Sequence, residues 1–147
     1  MALQDIPQTL IDFLNAYDTY FVIGHIEPDA DCICSQLALA SLLRRRGKEA
    51  LLFSAGPFVR KEIGIYEKLF AKRIGARRKE ASAGVVICDC ASLERIGELA
   101  QDIKDRDVAV IDHHSSREAD FGKIRYIQDK APCVTLLVQK IIEAFGG

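Results

Sequence analysis

Three short clusters of residues in this 147-residue chain carry side chains able to do chemistry. They are Gly24-His25-Ile26-Glu27-Pro28-Asp29-Ala30-Asp31, Cys88-Asp89-Cys90 and Asp112-His113-His114, and between them they hold every histidine of the sequence. Carboxylate and imidazole together form a donor set for a borderline-hard divalent ion such as Mn²⁺. Asp29 and Asp31, separated by Ala30 at a turn, aim in different directions. With a third carboxylate from a neighbouring strand they can hold two cations and share one carboxylate. Two cations a few ångströms apart clamp a phosphoryl group: they lower the pKa of a bound water and neutralise charge on the phosphate oxygens. Aspartates crowded into one crevice repel each other unless such cations offset them. The plainer reading is that each Asp caps a helix or shapes a turn. Caps account for one carboxylate per turn, but not for the histidines beside them.

The elements that must position these clusters are legible as alternation. Short apolar or β-branched runs at Tyr20–Ile23, Ala50–Phe53, Gly84–Ile87 and Val108–Ile111, with a weaker one at Ile124–Ile127, suit strands buried on both faces of a parallel sheet. Helical patterns fall around them. Ile6, Leu10, Phe13 and Leu14 mark an opening helix with Pro7 in its first turn. Ile33, Leu37, Ala40 and Ser41 share a face of a second helix, which ends near Gly47 after Arg44-Arg45-Arg46. Ser92 reads as the N-cap of a helix striped by Leu93, Ile96, Leu99, Ala100 and Ile103, and Val134 to Phe145 form a last one. The expected fold is α/β, an open, mostly parallel sheet with helices on both faces. Each polar cluster then follows a buried strand, at the carboxyl end where such sheets place their ligand crevice.

Composition narrows the function. Apolar residues make up 49% and charged residues 28%, which is globular usage. Twenty basic against 21 acidic residues exclude a protein that grips nucleic acid by bulk charge, and an aromatic fraction of 7% offers no stacking platform for single strands. No apolar run is long enough to span a membrane and the start lacks a secretory pattern, so the expected setting is cytoplasmic, without a membrane partner. Five cysteines, Cys32, Cys34, Cys88, Cys90 and Cys133, read as reduced thiols in such a setting. On an extended strand Cys88 and Cys90 point to one face and Asp89 to the other. The Cys-x-Cys spacing is tighter than structural zinc sites favour, which leaves the thiols as small filler. Arg44-Arg45-Arg46 and Arg77-Arg78-Lys79 read as helix ends or solvated faces rather than phosphate contacts.

His25-x-x-Pro28-Asp29-x-Asp31-x-x-x-Ser35, Asp89 after one apolar strand and Asp112-His113-His114 after another resemble the motifs of the DHH phosphoesterases. That superfamily contains RecJ-like exonucleases, oligoribonucleases and phosphatases of 3′-phosphoadenosine 5′-phosphate. Ala131-Pro132-Cys133-Val134-Thr135 resembles the start of the family's next helix, so the likeness covers nearly the whole chain. It implies two Mn²⁺ ions, with Mg²⁺ as the alternative. His25 and Asp29 would hold one ion, Asp31 and His113 the other, and Asp89 would bridge them. A metal-held hydroxide would attack phosphorus, with His114 facing the scissile phosphate and Asp112 fixing a neighbouring imidazole as the other member of the catalytic pair. Ala30, Cys32 and Cys34 stand where the family has small Gly and Ala residues, which keeps the turn. The family's fourth motif and its second, substrate-gripping domain normally follow the helix with which these residues finish and fall outside residues 1–147, which resemble the N-terminal catalytic half of a two-domain enzyme.

The expected function is a manganese-dependent phosphoesterase acting on short oligoribonucleotides or small nucleotides, with a homodimer admitted. The alternative is a catalytically incomplete metal- or nucleotide-binding module of the same fold, and a third reading is a cysteine-based metal or redox protein. Imidazole ligands bind metal only when neutral, so metal occupancy is expected to weaken below about pH 6. Metal content after dialysis at stepped pH checks this. Occupancy unchanged to about two units below the reference histidine pKa removes His25 and His113 from the ligand set.

Overall fold

A computed structural model describes residues 3–79, 82–114 and 121–147. Among these residues five strands, β1 (Thr19–Ile23), β2 (Glu49–Phe53), β3 (Ala83–Cys88), β4 (Val108–Asp112) and β5 (Ile124–Ile127), form one parallel sheet in the order β2-β1-β3-β4-β5. The strand order reverses between β1 and β3, whose registers pair Ile23 with Ile87. Chain segments leaving these two strands diverge to opposite sides, which opens a crevice outside their carboxyl ends.

Both faces of the sheet are apolar and both are covered. On one side Tyr20, Val22, Val86, Ala109, Ile111 and Tyr126 pack beneath α1 (Gln8–Ala16), α2 (Ala30–Arg45) and α5 (Val134–Ala144). On the other, Phe21, Ile23, Val85, Ile87 and Val110 meet a thinner cover. That cover draws on Ile74, a 3-10 turn at Leu93–Ile96 and the short helix α4 (Leu99–Asp102). The remaining helical pieces are a 3-10 segment, Lys61–Leu69, and α3 (Ala76–Lys79). Among the described residues no helix is long and apolar enough to cross a membrane.

The helices differ from their sequence patterns where local chemistry intervenes. Pro7 is the N-cap of α1 rather than a residue of its first turn, and its carbonyl accepts from the Leu10 and Ile11 N–H groups at 3.0 and 3.3 Å. In α2 the expected face is displaced: Ser41 is exposed, while polar Ser35 and Gln36 are fully buried. Gln36 Nε2 donates to the carbonyls of Val22 and Phe53 at 3.1 and 3.0 Å, which fastens α2 to the ends of β1 and β2. The single helix expected after Ser92 is two pieces, because Gly97 between them takes φ +64° and ends the first. Ser92 occupies the N-cap position without a side-chain cap bond. Of the basic runs, Arg44 donates to Ala50 O on the edge strand, Arg46 lies over the Phe145 ring and Arg78 pairs with Glu49. These side chains hold the fold, while the side chain of Arg77 lies outside the described residues.

Asp102 anchors the thin side. Its carboxylate accepts two bonds from Arg73 (2.8 and 2.7 Å) and one from the Ile74 N–H (3.0 Å), and Lys79 Nζ lies 3.0 Å away. Arg73 above all, against the opposing effect of burial and with help from Lys79 and the Ile74 amide, holds this carboxyl well below the usual carboxylate range. A carboxylate with a depressed folded pKa stabilises the fold above its unfolded pKa and loses that contribution as pH falls through the folded value. Asp102→Asn is expected to cost about 1–3 kcal/mol at pH 7. In urea melts, the difference from the parent chain should shrink below about pH 4.

Candidate functional site

The three polar clusters converge at the carboxyl edge of β1, β3 and β4. Each arrives by a different local device. After β1, Gly24 lets α2 come close: a Cβ there would lie 2.3 Å from Gln36 Oε1 and 2.4 Å from Cys32 Sγ. The chain then turns through His25 to Asp29, which caps α2 by accepting the Cys32 N–H at 2.9 Å. After β3, Asp89 adopts φ +70°, a left-handed conformation that costs about 1–3 kcal/mol in a residue other than glycine. Its own N–H still bonds Ile111 O at 2.9 Å. The turn overturns the expectation for Cys88 and Cys90. Cys88 packs in the layer of α2 and α5, whereas Cys90 packs on the opposite side with Ile96. After β4, Asp112 is still in the strand and fully buried, with His113 and His114 following.

Asp89 is the meeting point. It is 2% exposed; His25 Nε2 lies 3.2 Å from its Oδ2 and His113 Nε2 lies 3.4 Å from its Oδ1. Asp29 Oδ1 stands 3.9 Å from His25 Nε2, and Asp31 Oδ2 stands 3.7 Å from His113 Nε2. His114 Nδ1 bonds Asp112 Oδ1 at 2.6 Å and lies 4.0 Å from Asp89 Oδ1. The residues singled out from the sequence therefore form one connected network. The sequence reading missed Cys32: its Sγ lies within 4.8 Å of ligand-type atoms of both His25 and Asp89. A cysteine in the first turn of a helix gives no pattern that separates this placement from core filling.

The electrostatics are strained around Asp89. Burial pushes its carboxyl up, and the charges of Asp31 and Asp29 add to that rise against the His25 bond. For His25, burial opposes the charge, but the contacts with Asp89 and Ile26 O and the charge of Asp29 outweigh it, so the imidazole sits above its ordinary value. Asp31 goes the other way. Burial raises it, yet the Thr135 hydroxyl (2.6 Å) and the Val134 and Thr135 N–H groups (2.9 Å each) prevail and hold it low. Burial raises the thiols of Cys32, Cys88 and Cys90, the last to about 12, and keeps these three protonated.

This donor set fits divalent cations. Two groups, His25–Cys32–Asp89 and Asp89–His113–His114, each bring three ligand atoms within 4.8 Å of one another, and Asp89 belongs to both. Among the described residues Asp89 Oδ1 and Asp112 Oδ2 are buried without a hydrogen-bond partner, and a buried carboxylate oxygen in that state is what a cation satisfies.

The sequence profile of the DHH family, N-terminal domain, matches residues 19–146. The chain belongs to the DHH family. It is 26% identical over 132 residues to the bifunctional oligoribonuclease and PAP phosphatase NrnA of Bacillus subtilis (strain 168), a match covering 90% of this chain and 40% of that protein. In structure it resembles an exopolyphosphatase-related protein from Bacteroides fragilis, with a TM-score of 0.79 and 22% identity, covering 95% of this chain and 43% of that one. The second likeness is one of fold. The chain spans less than half the length of either.

Within this DHH domain Asp31 ties the site to the fold, since both its oxygens hold the first turn of α5. Asp31→Asn is expected to destabilise by about 1–3 kcal/mol at pH 7, because an amide cannot accept from all of these donors. Denaturant melts of metal-free protein measure this apart from any effect on metal binding.

Proposed function

We infer that the chain is a phosphoesterase that hydrolyses phosphodiester or phosphomonoester bonds of short oligoribonucleotides or small nucleotides. Residues 1–147 act as its catalytic unit. The observation that carries this reading is the position of Asp89, which is buried and, among the described residues, unsatisfied at one oxygen and common to both candidate ligand groups. Two divalent cations held there, Mn²⁺ in preference to Mg²⁺, would supply an acidified water and offset charge on the phosphate oxygens.

The chain's own residues then divide the work. Asp89 would help to hold both cations, with His25 and Asp29 serving one and Asp31 and His113 the other. These ligands come from three strand ends, so the parallel sheet sets their spacing. Asp112 accepts from His114 Nδ1 and so aims the ring, leaving Nε2 for a phosphoryl oxygen. His114 is the most open of the imidazoles, its side chain 57% exposed, as a group that meets substrate must be. Asp112 has no access to solvent and acts by orienting that ring. Near-zero net charge suits short substrates, which offer few phosphates to grip. The name of the Bacillus relative points to the same substrate class. Five unpaired thiols suit a reducing, cytoplasmic setting.

Incubation with Mn²⁺ and a labelled RNA dinucleotide tests the reading. Mononucleotide should be released by the parent chain, and at least about a hundredfold more slowly by Asp89→Asn. Equal rates in the two proteins would remove the catalytic assignment.

A further inference from the structure

Between the carboxyl ends of β3 and β4 lies a cavity of about 230 Å³. The buried carboxylates Asp89 and Asp112 line it, with His114, Arg95 and the stretch Cys90–Ser92. Arg95 is exposed. Unlike Arg44, Arg46, Arg73 and Arg78, its guanidinium has neither an ion pair nor a hydrogen bond among the described residues. It is thus not the counter-ion of Asp89 or Asp112, although it shares a cavity with both.

The backbone beneath Arg95 is fixed. Its carbonyl accepts the Ile26 N–H at 2.7 Å, and its own N–H bonds Ser92 O at 3.2 Å. Gly97, two residues on, is left-handed, and a Cβ there would lie 3.2 Å from Ile26 Cγ2. The turn that carries Arg95 is therefore locked to the loop that carries His25. A planar fork of donors, unpaired among the described residues and lining one cavity with Asp89, Asp112 and His114, matches the geometry of a phosphoryl group.

We propose that Arg95 grips the phosphoryl group of the substrate, binding two of its non-bridging oxygens, while His114, which lines the same cavity, meets the group as well. The assignment rests on the phosphoester reading above and adds to it the residue that recognises the anion. Arg95 binds substrate without holding metal, so its loss should appear in affinity before turnover.

The test uses Mn²⁺-loaded full chain, with Arg95→Gln, Arg95→Lys and the parent compared in three measurements. These are steady-state kinetics on an RNA dinucleotide, binding of inorganic phosphate by calorimetry, and melting temperature with Mn²⁺ stoichiometry. Arg95→Gln is expected to weaken phosphate binding and raise KM by about tenfold or more, with a smaller change in kcat. Melting temperature and metal content should stay unchanged, and Arg95→Lys should recover part of the affinity as a point charge without the fork. Phosphate binding within about twofold of the parent in Arg95→Gln overturns the proposal. A loss of phosphate binding only in step with metal and melting temperature overturns it too, since Arg95 is then a backbone anchor. Absence of turnover in the parent, with phosphate binding that still depends on Arg95, defeats the phosphoester reading and leaves the anion grip standing. A parent chain that turns over substrate yet binds no inorganic phosphate defeats the grip alone.

Discussion

Asp89 sits where burial and two neighbouring carboxylates all oppose its negative charge, on a backbone that must turn left-handed to hold it there. Little else at this edge of the sheet is independent of that carboxylate. His25 comes to one of its oxygens and His113 to the other, from strands on either side of β3. Gly24 must lack a side chain for α2 to lie close enough, and Gln36 must be buried to hold α2 against β1 and β2. The proposed cations would relieve the crowding of charge that the fold otherwise sustains with imidazoles alone.

The site is also part of what joins the helices. Asp29 caps α2 while standing beside His25, and Asp31 receives the first turn of α5 while standing beside His113. Two of the acidic groups thus have a structural and a proposed chemical role at once. Their hydrogen bonds to backbone amides fix where their remaining lone pairs point, which pre-organises the cluster before any ligand arrives.

The sheet and the cluster were legible in the sequence for one reason: a strand buried on both faces must be continuously apolar, so a polar residue at its end stands out. Tyr20–Ile23, Gly84–Ile87 and Val108–Ile111 announced β1, β3 and β4, and the residues after them announced the site. What was not legible depends on contacts between distant segments. Gln36 is polar and reads as a surface residue until Val22 O and Phe53 O come to its amide. The stripe from Leu93 to Ile103 fits one helix, but Gly97 packs against Ile26 and Ala55 and breaks it. Cys88 and Cys90 would share a face on a straight strand, and only the left-handed Asp89 between them sends them to opposite layers. Asp102 and Arg73 are 29 residues apart, with nothing in their spacing to link them.

The three imidazoles are wired in the same sense. His25 Nδ1 faces Ile26 O at 2.7 Å, His113 Nδ1 faces Ala131 O at 3.1 Å, and His114 Nδ1 faces Asp112 Oδ1. Carbonyl and carboxylate oxygens accept and never donate, so each Nδ1 keeps its proton. A neutral ring is thereby committed to a single tautomer, with the bare lone pair of Nε2 turned inward. For His25 and His113 that lone pair points at an oxygen of Asp89, an arrangement that repels unless a proton or another positive centre lies between them. For His25 and His113, main-chain carbonyls thus choose which electrons of a neutral ring face the centre of the site.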